Sequence, residues 1–141
     1  RDEVETNLFG TLQMCRAFAP VLKNNGGGMI VNLVSVLSRV SIPVIGSVCA
    51  SKAALLMMNN GVRAELAVQN THVMAVLPGE IDTDMTPGGE SKPEDIAKII
   101  IAAIGDDEED IWPGPMAESI REGLLKDPKA VEKQYAAYLP E

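Results

Sequence analysis

The fold of this 141-residue chain is decided by the stretch Met29-Ile30-Val31-Asn32-Leu33-Val34. This stretch is short, apolar and rich in β-branched residues, so it predicts a strand buried on both faces, as in a parallel sheet. On either side, apolar residues repeat every three to four positions over 4–22, and residues 48–68 are rich in alanine, leucine and methionine. Both segments predict long helices. Residues 73–77 repeat the buried-strand pattern.

The rest of the chain continues this alternation of helices and strands. A helix is predicted from Pro93 to about Ile104, because proline suits the first turn of a helix. Residues 111–113 predict a very short strand, and two weaker helices follow at 116–125 and 128–139. Alternating helices and strands imply a parallel sheet with right-handed crossovers. We therefore expect a single α/β domain over residues 1–141.

Composition narrows the possible functions. Hydrophobic residues make up 46% of the chain, which is enough for one domain with a sizeable core. No apolar run approaches the ~20 residues that span a bilayer, and a net charge of -8 disfavours nucleic acid and anionic membranes as partners. Cys15, Cys49 and His72 lack the spacing of a metal site or a disulfide framework. We expect no metal site and a reducing, cytoplasmic setting.

Four landmarks follow one another at defined intervals. Asn7 lies 28 residues before Ser35, and Ser35 lies 13 residues before Val48. Lys52 follows in the stretch Ser47-Val48-Cys49-Ala50-Ser51-Lys52, and Pro78-Gly79-Glu80-Ile81-Asp82-Thr83 comes after the second predicted strand. Over roughly residues 1–115 this pattern resembles the short-chain dehydrogenase/reductase family, which has an Asn, Ser, Tyr, Lys tetrad and a Pro-Gly-x-Val/Ile-x-Thr segment.

The resemblance implies a role for each matching residue. Ser35 would hydrogen-bond the substrate carbonyl, Asn7 would hold a water of a proton relay, and Lys52 would bind the nicotinamide ribose. The loop that would contact the nicotinamide end of the cofactor holds four matching residues: Pro78, Gly79, Ile81 and Thr83. The implied cofactor is NAD or NADP, and the implied substrate is a small-molecule alcohol or carbonyl compound.

Val48 occupies the position at which the resemblance places the catalytic tyrosine. In the family this phenol donates a proton to the carbonyl as hydride arrives, and general acid catalysis of this kind is worth ~10²- to 10⁴-fold. Valine has no proton to donate, and the adjacent Ser47 and Cys49 point about 100° away on a helix. The only tyrosines are Tyr135 and Tyr138. Either tyrosine could reach the site only if the C-terminal helix folded over it, and we expect that neither does.

The resemblance implies a partial Rossmann-like three-layer fold, the C-terminal half of a doubly wound parallel sheet with long flanking helices. The glycine-rich turn that holds the pyrophosphate belongs to the N-terminal dinucleotide-binding half of the family, which we regard as absent from this truncated chain. The glycines at 26–28 precede a strand and read as a turn. We expect this chain alone to bind NAD or NADP poorly. We also expect a longer polypeptide or a second chain to cover the bare edge of the strand at 29–34.

Two functions stay open. The first is an NAD(P)-dependent oxidoreductase that interconverts alcohol and carbonyl by hydride transfer and is inactive or severely impaired as presented. The second is a non-catalytic relative that acts in oligomerisation or regulation. In most family members the two long helices pair with their copies in a second subunit. The resemblance therefore implies a homo-oligomer through residues 4–22 and 48–68.

Overall fold

A three-stranded parallel sheet forms the centre of the structure, a computed structural model that describes residues 1–139. Strand β1 spans Gly28–Leu33, β2 spans Thr71–Val76, and β3 is the two-residue strand Asp110–Ile111. The strands lie in the order β1-β2-β3, and both neighbouring pairs are parallel. The predicted parallel sheet is confirmed.

Helices connect and flank these strands. The first helix, α1, is one continuous segment made of Asp2–Val4, a π-helical turn at Glu5–Gly10, and Thr11–Asn24. The other helices follow in chain order: α2 at Gly46–Ala67, α3 at Pro93–Gly105, α4 at Pro115–Lys126 and α5 at Pro128–Ala136. A short 3₁₀ turn, Val36–Ser38, follows β1. The five predicted helices are confirmed with ends shifted by a few residues. Within residues 1–139, no helix has the length and apolarity needed to cross a membrane.

The helices form layers on both faces of the sheet. Because successive side chains of a strand point to opposite faces, Val73 and Met74 of β2 enter different layers of the core. Val73 packs with Cys15 of α1 and Val62 of α2. Met74 packs with Ala103 of α3. The result is a three-layer arrangement with α1 and α2 on one side and α3 on the other.

Strand β1 is less buried than its sequence predicts. Within Gly28–Leu33 only Asn32 is buried, and Leu33 is exposed, whereas every residue of β2 except His72 is buried. Strand β1 lies at the edge of the described sheet with β2 as its one neighbour. The prediction of burial on both faces is therefore wrong for β1, because an edge strand has packing partners along one side only.

Arg63 on α2 attaches this helix to the sheet. Its Nε donates to the Val73 carbonyl at 2.7 Å, and its Nη2 donates to the Glu109 carbonyl at 2.8 Å. The same guanidinium pairs with the Asp110 carboxylate at the start of β3. These bonds fix the short strand β3 against β2.

Candidate active site

The carboxyl ends of β1 and β2 meet at one edge of the sheet. The Val34 amide donates to the Val76 carbonyl at 2.8 Å, and the Val36 amide donates to the Pro78 carbonyl at 3.0 Å. These bonds continue the parallel ladder beyond both strands and place Ser35 beside Pro78. In open parallel sheets, ligands bind outside this edge.

Ser35 has a strained backbone. Its φ of 152° and ψ of 157° lie in a region that only glycine adopts readily. The Leu37 amide donates to Ser35 Oγ at 3.1 Å, and Ser38 Oγ donates to the Ser35 carbonyl at 2.7 Å. These bonds hold the residue in its conformation. Strain of this kind costs about 1–3 kcal/mol and is concentrated at functional sites.

Lys52 reaches the same edge of the sheet from α2. Its Nζ donates to the carbonyl of Leu33, the last residue of β1, at 3.3 Å. The side chain is half-buried, and this desolvation lowers the pKa of Lys52 below its ordinary value. An ammonium group has three donors. Lys52 therefore retains hydrogen-bonding capacity for a ligand at the strand end.

Asn7 is attached to α2 through Ser51, a residue that the sequence did not single out. Asn7 Nδ2 donates to Ser51 Oγ at 2.9 Å, and Ser51 Oγ donates to the Val48 carbonyl at 2.7 Å. Ser51 is fully buried, and these bonds use its hydroxyl both as acceptor and as donor. Asn7 lies in the π-helical turn of α1, and such turns are frequent at functional sites. Asn7 thus supports the turn of α2 that carries Val48 and Lys52.

Val48 brings no proton donor to this arrangement. It lies one helical turn before Lys52 and is half-buried, while Ser47 is exposed and Cys49 is buried. Because neighbouring helix positions point about 100° apart, neither neighbour shares the direction of Val48. The position that the family pattern assigns to a phenol therefore holds an aliphatic side chain.

The segment after β2 forms a loop closed by its own hydrogen bonds. The Asp82 amide donates to the Ser91 carbonyl at 2.8 Å, and the Ser91 amide donates to the Glu80 carbonyl at 3.3 Å. Thr83 is exposed, and its backbone pairs with that of Thr86. These backbone hydrogen bonds therefore fold the loop back on itself.

The predicted site residues fall into two groups. Hydrogen bonds connect the first group to the carboxyl edge of the sheet or to the Val48 turn: Asn7, Ser35, Lys52 and Pro78. The second group follows along the loop after β2: Gly79, Ile81 and Thr83. Hydrogen bonds thus join Asn7 to the Val48 turn through Ser51 and join Lys52 to the end of β1, which Ser35 follows. The three loop residues of the second group come later in the chain, after β2.

The C-terminal helices fold against the segment that follows Ser35. Val36 and Val40 pack in one buried cluster with residues of α4 and with Tyr135 of α5. The C-terminal helix therefore packs against the segment after Ser35, and the expectation that neither tyrosine takes the place of the phenol stays a prediction. Burial raises the pKa of Tyr135, and the neighbouring Tyr138 raises it further by a smaller amount. A raised pKa makes this phenol a weaker acid at neutral pH.

The glycine cluster at 26–28 forms the turn between α1 and β1. The Gly28 amide donates to the Asn70 carbonyl at 3.1 Å, and all three glycines have a positive φ. This turn precedes β1, whereas Ser35 follows it, so the two lie at opposite ends of the strand. The interpretation of the cluster as a turn is confirmed.

Comparison with known proteins identifies the family. A family model described as short chain dehydrogenase matches residues 1–94. That range contains Asn7, Ser35, Val48 and Lys52, the residues whose geometry is described above. This chain belongs to the short-chain dehydrogenase family. Its three layers and parallel sheet are those of a partial Rossmann-like short-chain dehydrogenase fold.

Individual relatives agree with this assignment of the short-chain dehydrogenase family. An uncharacterized oxidoreductase of Staphylococcus haemolyticus is 37% identical over 107 residues, covering 72% of this chain and 46% of that protein. Dehydrogenase/reductase SDR family member 7B of Danio rerio is 31% identical over 128 residues, covering 79% of this chain and 41% of that protein. A crystal structure of a short chain dehydrogenase from Burkholderia cenocepacia in complex with NADP is 42% identical, with a TM-score of 0.90 over 100% of this chain and 59% of that chain. The chain spans a little under half the length of these curated relatives.

Proposed function

We propose that this short-chain dehydrogenase is an NAD(P)-dependent oxidoreductase that interconverts an alcohol and a carbonyl by hydride transfer, with severely impaired proton donation. One observation carries the proposal: Lys52 Nζ donates to the Leu33 carbonyl at the end of β1, two residues before Ser35, and the helix turn before Lys52 carries Val48. We infer that it acts in the reducing cytoplasm, which suits the free thiols of Cys15 and Cys49.

The residues at this edge fit the nicotinamide end of NAD or NADP. Lys52 Nζ uses one of its three donors on the Leu33 carbonyl and has the others for ribose hydroxyls. The buried Pro78 lies beside the Ser35 segment through the bond that its carbonyl accepts from the Val36 amide, and Gly79 follows it. The bound nicotinamide would supply the hydride. No glycine-rich turn that would hold the pyrophosphate occurs within residues 1–139, so we expect these residues alone to bind the dinucleotide weakly.

Each residue has a distinct part in this chemistry. Ser35 Oγ accepts the Leu37 amide, which leaves its own proton for the substrate carbonyl oxygen. Lys52 would hold the ribose, and Asn7 supports the turn of α2 through Ser51. Because Val48 donates no proton, the carbonyl oxygen lacks the positioned general acid that the family pattern provides. Loss of a positioned general acid lowers the rate by ~10²- to 10⁴-fold.

Calorimetric titration of NAD and NADP into the complete natural polypeptide tests cofactor binding. Lys52→Met should weaken the affinity about tenfold, which corresponds to the loss of one hydrogen bond from a charged group. Lys23→Met is the matched control, because Lys23 is exposed at the other end of the fold. Equal affinities for Lys52→Met and the parent, or no binding of either dinucleotide by the parent, contradict the proposal.

The alternative is a non-catalytic short-chain dehydrogenase that acts in oligomerisation or regulation, and exposed apolar side chains on α1 and α2 favour it. Met14 and Phe18 of α1 are 57% and 50% exposed, and Met57 of α2 is 72% exposed. A groove of about 310 Å³ lies between the two helices. In either case we infer a homo-oligomer through residues 4–22 and 48–68.

Light scattering coupled to size exclusion tests this assembly. The parent should elute as a dimer or larger oligomer, because burial of these side chains removes apolar surface from water. Met57→Glu should shift the protein toward monomer without loss of helical circular dichroism, whereas Asn60→Glu, at another exposed position of α2, is a control for added charge. A monomeric parent at micromolar concentration would rule the interface out.

A further inference from the structure

Both ends of the loop at 79–91 rest on the start of α4. The Met116 amide donates to Glu90 Oε1 at 2.6 Å. A Cβ placed on Gly79 would lie 2.8 Å from Met116 Cβ, so the backbone of Gly79 packs directly on that side chain. A Cβ on Gly114 would lie 2.7 Å from Ser91 Oγ. The beginning and the end of the loop therefore meet the same short segment.

Glu90 stabilises the first turn of α4. The first amides of a helix have no partner within the helix, and Pro115 has no amide to offer. The Met116 amide is therefore the first donor of this helix, and Gly114 before it provides no side-chain cap. A carboxylate at this position also interacts favourably with the helix dipole. The cap of α4 thus comes from the loop.

Met116 also connects the loop to the segment after Ser35. Its side chain packs against the buried cluster that contains Val36 and Val40. Met116 therefore touches both the loop that would bind the nicotinamide end of the cofactor and the buried cluster that includes the segment after Ser35. A shift of α4 would therefore alter the packing of the loop at 79–91 and of the cluster that contains Val36 and Val40.

We propose that Glu90 is a positioning residue that holds the loop at 79–91 closed through Met116 and thereby sets the affinity for the dinucleotide. This inference rests on the proposed function of the loop as the nicotinamide contact. Without the Glu90 cap, the backbone bonds of Ser91 to Asp82 and to Glu80 remain, so the loop loosens without unfolding. The dinucleotide must then order the loop when it binds, which lowers its affinity.

Three variants of the complete natural polypeptide test the proposal. Glu90→Ala removes the acceptor and should weaken NADP affinity about five- to tenfold. Glu90→Gln keeps an acceptor oxygen and should stay within about twofold of the parent. Glu118→Ala removes a carboxylate from the first turn of the same helix and should leave the affinity unchanged. A Glu90→Gln variant as weak as Glu90→Ala would overturn the hydrogen-bonding role.

Hydrogen exchange of the amides at 80–91, measured without ligand, separates this inference from the proposed function. Exchange should accelerate in Glu90→Ala and stay at the parental rate in Glu90→Gln and Glu118→Ala. Unchanged exchange in Glu90→Ala overturns the positioning role. Accelerated exchange together with a parent that binds neither NAD nor NADP overturns the proposed function and leaves the hold of Glu90 on the loop intact.

Discussion

Replacing Ser35 by glycine and by alanine tests the strain at the site. Both variants lose the hydroxyl and its bond from Leu37, so their difference reports the backbone alone. Alanine keeps the φ of 152° and ψ of 157°, at about 1–3 kcal/mol, whereas glycine adopts this conformation freely. The glycine variant loses about 0.4–1 kcal/mol of stability relative to the alanine variant, because glycine gives the unfolded chain more conformational freedom. The mid-range values of about 2 and about 0.7 kcal/mol differ by about 1.3 kcal/mol, so Ser35→Gly should be more stable than Ser35→Ala by about that amount.

Urea unfolding followed by circular dichroism measures this difference, and in thermal unfolding it corresponds to about 3–8 °C in Tm. Ser119 provides the control because it is exposed within α4. There the order should reverse, with alanine about 1 kcal/mol more stable than glycine. If Ser35→Ala is as stable as Ser35→Gly, Ser35 is not strained and this reasoning is refuted.

Three further substitutions probe the packing around the site. Arg63→Ala should lower the free energy of unfolding by about 1.5–3 kcal/mol through loss of its bonds to the sheet, and Arg63→Lys should recover only part, because lysine lacks the planar fork; full recovery in lysine would contradict this. Gly79→Ala should cost about 1–3 kcal/mol by collision with the Met116 side chain, whose nearest atom is Cβ. A double-mutant cycle should show a smaller cost in a Met116→Gly background, which removes that atom; strict additivity would argue against the contact. Lys52→Met should stabilise the protein at neutral pH, because burial lowers the folded pKa of Lys52 and so disfavours its charged form. The parent gains stability as pH rises from that lowered pKa toward the ordinary 10.5, so the stability advantage of Lys52→Met should shrink over that interval. Unfolding curves measured at a series of pH values test this. An advantage of Lys52→Met that grows with pH would contradict it.

The sequence predicted the helices from apolar residues that repeat every three to four positions, and the parallel sheet from short, continuous apolar runs between them. Residues 4–22 and 48–68 carry enough repeats to define a helix face, and the strand at 73–77 is buried as expected. The burial of β1 could not be predicted equally well. An apolar run indicates that a strand is suited to burial, but the number of neighbouring strands depends on the topology of the whole sheet.

The sequence proposed the residues of the candidate site but could not indicate the contacts that support them. The intervals between Asn7, Ser35 and Lys52 carried the family pattern. Ser51 carried no such signal, because its role depends on a side chain 44 residues away. The strain at Ser35 depends on local backbone angles, and the Glu90 cap depends on a contact between residues 26 positions apart. Neither leaves a repeating pattern in the sequence.

The central claim is that this short-chain dehydrogenase site lacks its proton donor at Val48. Val48→Tyr in the complete natural polypeptide tests it most directly, with loss of nicotinamide absorbance followed across a panel of carbonyl compounds. Val48→Phe is the control, because it adds the ring without the hydroxyl. The account predicts a gain of ~10²- to 10⁴-fold in NAD(P)H oxidation for tyrosine and none for phenylalanine. A Val48→Tyr protein that binds the dinucleotide and gains no activity would contradict it.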